Sequence, residues 1–191
     1  MKRIFIAVDI SEEARRLAAA HSERLRNEFS DLRVGWERAE KLHLTLRFIG
    51  NLEDERISSL TDRLRATAAA ARSFELSITG TGVFPNVRRP RVLWLGVAGD
   101  VEGMNKLAAA IENDCEAIGL DRESREFKPH LTIARLRETE RSGRLAVSHL
   151  QMPFESAAFK VGEIVLYESK LQRTGSVYSV LDRFSLGVQR Q

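Results

Sequence analysis

Apolar positions along this chain recur with two periods, near 2 and near 3.6, and the two alternate. Ile4-Phe5-Ile6-Ala7-Val8 is a short apolar run stopped by Asp9, which predicts a strand over 2–9. Ser11 followed by Glu12 and Glu13 is a helix start: the hydroxyl caps free N–H groups and the acids suit the positive end of the dipole. Ala14, Leu17, Ala18, Leu25 and Phe29 then follow helical spacing, so the helix covers 11–29. A connection through Val34 and Trp36 leads to a strand over 42–49, ended by Gly50-Asn51. A helix over 53–71 aligns Ile57, Leu60, Leu64, Ala68 and Ala71. Residues 74–84 predict a strand, weakened at Gly80 and Gly82, and 85–91 form a basic turn. The pattern then repeats: a strand over 91–97, a helix over 101–118 introduced by Gly99-Asp100, a polar basic stretch over 119–128, and a strand over 129–135. A short helix over 138–150, weakened by Gly143, precedes strands over 154–167 and 177–186, with 168–176 as a hairpin loop containing Gly175.

Strand 2–9 matches strand 91–97, helix 11–29 matches helix 101–118, and His43 matches His130, each at an offset near 88. A helical stretch and a Phe-led strand, at Phe74 or Phe154, follow each histidine. This predicts one α+β domain over 1–191, built by duplication of roughly 1–90 and 91–191. Two pseudo-twofold lobes of mainly antiparallel sheet, flanked by helices, would enclose a central cleft.

The two strands that would meet there read His43-Leu44-Thr45-Leu46 and His130-Leu131-Thr132-Ile133. Side chains at i and i+2 share a face of a strand. His and Thr therefore project together, and the intervening apolar residues point into a core. An imidazole with a pKa near 6.5 can accept or donate a proton at neutral pH. Two of them flanking a phosphorus centre suit phosphodiester hydrolysis, one taking a proton from water and the other giving one to the leaving oxygen. The threonine hydroxyls suit the non-bridging phosphate oxygens. One His-x-Thr alone means little, because Thr is a common strand residue; two at duplicated positions, in a chain with four histidines, carry the argument. His21 and His149 lack the motif and are assigned to surface or packing roles. A catalytic zinc takes three protein ligands, and no His-Glu-x-x-His, Cys-x-x-Cys or carboxylate cluster accompanies the pair, so neither metal nor cofactor is expected. Phosphate-binding glycine loops and Gly-x-Ser-x-Gly elbows are likewise missing.

Composition adds limits. The chain is 43% hydrophobic and 30% charged, with net charge +3, which permits an anionic partner without demonstrating one. No apolar run approaches a membrane span of roughly 20 residues, and the start reads as a strand rather than a signal peptide. The one cysteine, Cys115, lies on the apolar face of its helix and is assigned to packing. A cytoplasmic protein is expected. A monomer would already supply both strands, so no dimer is required.

The text around the motifs resembles a known family. Leu42 to Gly50, Phe84-Pro85 with Arg91-Val92-Leu93-Trp94, and Lys128 to Arg135 are similar to the bacterial and archaeal RNA 2′,3′-cyclic phosphodiesterases of the 2H phosphoesterase superfamily, also called 2′-5′ RNA ligases. Leu166-Tyr167-Glu168-Ser169, Gly175, Tyr178 and Leu181 fit the same group, and the resemblance covers nearly the whole chain. It implies opening of an RNA terminal 2′,3′-cyclic phosphate to a 2′-phosphomonoester, and 2′-5′ ligation when a 5′-hydroxyl replaces water. It implies His43 as proton donor, His130 as acceptor, and Thr45 and Thr132 on the phosphate; the residues alone leave the two histidines interchangeable. It also places Arg135 on the phosphate, although strict alternation sets Arg135 opposite His130, so the strand must bend or end there. By the same alternation Arg47 shares the face of His43, as a phosphate charge or a solvated side chain, and Phe48 belongs to the core. Trp36, Phe84 and Trp94 are read as core residues before base-stacking ones, and Arg88, Arg89 and Arg91 as a solvated turn before an RNA contact. The same residues leave open a 2H enzyme for a small cyclic nucleotide, or a binder of RNA ends without turnover.

Overall fold

The computed structural model describes residues 1–137, 142–172 and 175–187. The first strand, β1 (Lys2–Asp9), leads into α1 (Glu12–Glu28), where Ser11 Oγ accepts the N–H of Ala14 at 3.2 Å as an N-cap. A short edge strand, β2 (Val34–Trp36), and one 3-10 turn at Ala39–Lys41 precede β3 (His43–Leu52) and α2 (Asp54–Ala70). Then come β4 (Phe74–Phe84), β5 (Val92–Gly99) and α3 (Val101–Ala117), capped by the Asp100 carboxylate on the N–H of Gly103 at 2.8 Å. The chain closes through β6 (Leu131–Leu136), α4 (Gly143–Gln151), β7 (Ala157–Val161), β8 (Glu163–Gln172) and β9 (Gly175–Ser185). The expected helix over 138–150 is α4, with 138–141 outside the described residues.

Two antiparallel sheets result, ordered β3-β1-β8-β9 and β2-β6-β5-β4-β7. The two sheets share one pairing: β1 pairs with β3 as β5 pairs with β6, and a helix lies between the strands of each pair in the chain. The sheets themselves do not divide at residue 90. β2 and β4 lie in the sheet of β5 and β6, while β8 and β9 complete the sheet of β1 and β3.

Three local expectations change. The run 154–167 is two strands rather than one; it breaks at Gly162, and β7 and β8 belong to different sheets. Residues 34–36 are a strand. The 168–176 loop is mostly strand, because β8 continues to Gln172 and β9 starts at Gly175, with 173–174 outside the described residues. The weak point in β4 is a register shift at Gly80, whose φ of 65° suits glycine.

One continuous core joins the sheets and the helices. Ile4, Ile6 and Leu44 from the first sheet and Leu93, Leu95 and Leu131 from the second are buried with Leu25, Leu60, Leu64 and Ile111 from the helices. Each such side chain contributes about 1.5–3 kcal/mol on burial. Cys115 is buried among them, and burial pushes its thiol up to about 11, which leaves it inert.

The core also takes the two histidines that lack the motif. His21 on α1 and His149 on α4 are 4% and 0% exposed, and His21 Nε2 lies 3.0 Å from His149 Nδ1. His149 Nε2 lies 3.1 Å from the carbonyl oxygens of both Gly82 and Trp94. Those are acceptors only, so Nε2 carries the proton, Nδ1 accepts, and His21 Nε2 donates. Burial pushes His21 down to about 4, with His149 adding to the effect, and pushes His149 down as well.

These contacts set two expectations for stability. A Cβ on Gly82 would lie 2.0 Å from the Trp94 indole, so Gly82→Ala should cost about 2–3 kcal/mol in urea unfolding and alter tryptophan fluorescence. The lowered pKa of His21 means that the unfolded chain binds more protons between pH 6.5 and about 4. Its contribution is complete above pH 6.5 and is lost as pH falls through that window, up to roughly 3 kcal/mol. The thermal midpoint should therefore drop on acidification, and less steeply in His21→Leu.

Candidate active site

His43 opens β3 and His130 immediately precedes β6, and both line one cleft of about 360 Å³ between the sheets. Thr45 and Thr132 line it with them. Each imidazole is fixed in the same way. His43 Nδ1 lies 2.6 Å from the carbonyl oxygen of Lys41, and His130 Nδ1 lies 2.7 Å from that of Lys128. A carbonyl only accepts, so both rings carry the proton on Nδ1 and present Nε2 for chemistry. In His43 that Nε2 lies 3.0 Å from Thr45 Oγ1.

The next residues show why strict alternation fails. Ile6 pairs with Arg47 and Ala7 with Thr45, leaving Leu46 unpaired. Leu93 pairs with Ala134 and Trp94 with Thr132, leaving Ile133 unpaired. Each motif therefore carries a β-bulge directly after its threonine, which reverses the facing of everything beyond it. Arg135 consequently joins His130 and Thr132 in the cleft, where its Nε sits 3.7 Å from a Glu37 carboxylate oxygen. The same step inverts two expectations on β3. Phe48 is not a core residue: it lines the cleft, 46% exposed, with the Arg3 guanidinium 4.8 Å from its ring centre. Arg47 turns away, its side chain only 11% exposed, to pair with Glu112 on α3 at 3.2 Å and Glu123 at 3.4 Å and to bond the Asp121 carbonyl at 2.6 Å.

Aromatic rings wall both histidines. Phe5 stacks on His43 at 4.8 Å and Tyr178 meets it edge-on at 5.6 Å. Phe84 meets His130 edge-on at 5.1 Å, with Trp94 behind at 6.3 Å. Phe84 and Trp94 thus pack the site rather than the deep core, while Trp36 lies away from the cleft with Arg26 5.8 Å from its ring centre. Arg88, Arg89 and Arg91 are exposed and do not line the cleft.

Desolvation by burial is the main reason that both motif histidines are held below the usual imidazole value. The opposing influences differ. The Lys41 carbonyl and the Asp9 carboxylate push His43 back up, against Arg15 and Arg135. At His130 the Lys128 carbonyl pushes up and Arg135 pushes down, with no carboxylate involved. Asp9 pairs with His43 across β1 and β3 and is held by the Tyr167 hydroxyl at 2.6 Å and Arg183 at 3.1 Å. Sequence reasoning missed its role, and its signal was slight: one acid ending an apolar strand. Lys41, whose ammonium donates to the Ser176 carbonyl, Ser169, Ser176 and Tyr178 also line the cleft. Among the described residues no group of three His, Cys, Asp or Glu side chains converges as metal ligands would, and no helix is long and apolar enough to cross a membrane.

The chain is similar to known proteins over most of its length. The family model of the 2′-5′ RNA ligase superfamily matches residues 13–173. The RNA 2′,3′-cyclic phosphodiesterase of Methanothermobacter thermautotrophicus is 32% identical over 186 residues, 96% of this chain and 98% of the relative. That of Thermotoga maritima is 31% identical over 94% of this chain and 92% of its own. Among solved structures, a Thermus thermophilus protein superimposes with a TM-score of 0.80 at 26% identity, covering 98% of this chain and 100% of the other. The apo form of E. coli LigT superimposes with a TM-score of 0.75 at 25% identity, covering 97% and 98%. By sequence, by fold and by its paired His-x-Thr strands, the chain belongs to the 2′-5′ RNA ligase superfamily, the 2H phosphoesterases.

Proposed function

We propose that this protein hydrolyses an RNA terminal 2′,3′-cyclic phosphate to a 2′-phosphomonoester, by acid–base catalysis between His43 and His130. The observation that carries the reading is the pair of imidazoles, each locked by a backbone carbonyl on Nδ1, that line one cleft with two threonines and Arg135. Relatives bearing the name RNA 2′,3′-cyclic phosphodiesterase support the substrate. Water attacks phosphorus and gives its proton to His130 Nε2. The phosphorus–O3′ bond breaks, and protonated His43 passes its Nε2 proton to O3′. The products are a 2′-phosphate and a 3′-hydroxyl. Thr45, Thr132 and Arg135 hold the non-bridging oxygens as charge grows on them. A 5′-hydroxyl in place of water gives a 2′-5′ linkage by the same proton transfers.

The electrostatic asymmetry supports the assignment of roles. The acid must begin protonated, and Asp9 favours a charged His43. The base must begin neutral, and at His130 no carboxylate opposes the Arg135 charge that bears on both rings. Phe48 and Arg3 extend the cleft past the phosphate site over the first sheet. A flat exposed ring there suits a nucleobase, favouring a nucleotide chain over a bare cyclic phosphate. The chain acts as one duplicated domain, as a monomer, without metal, on cytoplasmic RNA ends.

An RNA oligonucleotide with a cyclic phosphate end, incubated in EDTA and followed by phosphorus NMR, should yield the 2′-phosphomonoester with a bell-shaped pH profile. His43→Ala and His130→Ala should each lower kcat by about 10²–10⁴-fold. A 3′-phosphate product would overturn the leaving-group assignment, and activity only on adding metal would overturn the metal-free mechanism. Two single-site tests separate the bulged residues: Arg135→Ala should slow turnover by about 10²-fold, whereas Arg47→Ala should lower stability and leave kcat within about threefold. Asp9→Asn removes an influence that raises His43, so the alkaline limb of the profile should move to lower pH.

A further inference from the structure

The buried pair His21–His149 ends on the backbone that carries the aromatic wall of His130. Gly82 and Trp94, whose carbonyls both accept from His149 Nε2 at 3.1 Å, face each other across β4 and β5. Trp94 faces Thr132 on its other side, across β5 and β6. Its indole lies directly on Gly82, at a spot where a Cβ would be 2.0 Å from the ring, and packs against Phe84 at 5.0 Å. Both rings turn toward His130. Trp94 Nε1 is buried and makes no hydrogen bond to any described residue. The ring is therefore located by packing and by its own main chain, and His149 holds that main chain.

We propose that His149 is a positioning residue for His130: by clamping the Gly82 and Trp94 carbonyls together it seats the Trp94–Phe84 wall that orients the catalytic imidazole, and His21 fixes the tautomer in which it does so. A buried leucine of similar volume would fill the space on α4 equally well. It would remove the one side-chain donor placed within reach of both carbonyls, at a point where β5 already departs from regular pairing with β6. The clamp needs both rings neutral, and burial keeps them so at neutral pH. The charged groups around the pair are Arg24 on α1, which opposes protonation of His21, and Glu28, bonded by Ser148 beside His149. The inference rests on the role proposed for His130, but one of its readouts does not depend on activity.

That readout is the Hε1 resonance of His130, displaced by the ring currents of Trp94 and Phe84. In His149→Leu the resonance should move toward its unshifted position, and kcat for the cyclic-phosphate RNA should fall about tenfold with KM changed less than about twofold. His149→Gln, whose amide can donate to one of the two carbonyls, should recover most of both. His21→Leu should show a smaller loss, about threefold, in the same direction. A folded His149→Leu protein with an unmoved resonance and unchanged kcat would overturn the proposal, as would equal losses in the Leu and Gln variants with the resonance unmoved. Should His149→Leu not fold, the Gln and His21→Leu variants decide by the same resonance. If the wild-type protein turns over no cyclic phosphate, the proposed function falls, and the resonance still tests the clamp.

Discussion

An extra residue after each His-x-Thr is the constraint on which the rest of this site depends. A strand of strict period 2 can put the first and third residues of a motif on the cleft but sends the sixth into the core. Leaving Leu46 unpaired opposite β1, and Ile133 unpaired opposite β5, adds one step to the count. Facing then runs out, in, in, out. Thr45 and Phe48 look into the cleft while Leu46 and Arg47 do not; Thr132 and Arg135 do while Ile133 and Ala134 are buried. The two strands thereby deliver three side chains each to one surface. The arrangement is stable because the inward positions are filled: Leu46, Ile133 and Ala134 by apolar packing, and Arg47 by an ion pair with Glu112 that is mostly shielded from water.

The same backbone device serves unlike chemistry in the two halves. At equivalent positions after the bulge stand Phe48 and Arg135, an apolar plate and a cation. At the histidines, Arg135 bears on both rings, while the Asp9 carboxylate bears on His43. A symmetric pair of imidazoles would share protons equally and gain little from being two. These differences make the surroundings of the two rings unequal, although burial holds both below the usual imidazole value. Two similarly bulged strands supply the frame, and a few charged or aromatic side chains make its two sides unlike.

Much of this was legible in the chain. Helical periodicity located α1, α2 and α3 because each buries a stripe wide enough to recur over four turns, and Ser11 marked the start of α1 by side-chain chemistry that the structure repeats. The paired motifs pointed to the cleft that both of them line, because two histidines at one offset are rare enough to signify. What could not be read was non-local. Whether 154–167 is one strand or two depends on which sheet each half joins, and only Gly162 marks the crossing. The bulges are a relation between strands and leave no mark on either alone, so Arg47 and Phe48 were given each other's places. Strand membership across residue 90 follows from where β8 and β9 find an open edge beside β1, which no pattern within a half records.

The two histidines outside the motif show how far the influence of the site reaches into the core. A buried imidazole costs stability at low pH and packs no better than an aliphatic side chain, so its presence asks for a task that an aliphatic cannot perform. Holding two strand carbonyls at once is such a task, because it needs a donor that is rigid, flat and uncharged. A lysine or arginine would bring a charge into the core, and a serine on α4 would be too short to span the distance that the imidazole covers. His21 completes the logic. With its own proton on Nε2 it occupies the second nitrogen of His149, leaving the first no choice but to donate toward β4 and β5. The polar groups of this core are therefore arranged in one direction, from α1 through α4 to the sheet, and they end beneath the ring that flanks His130.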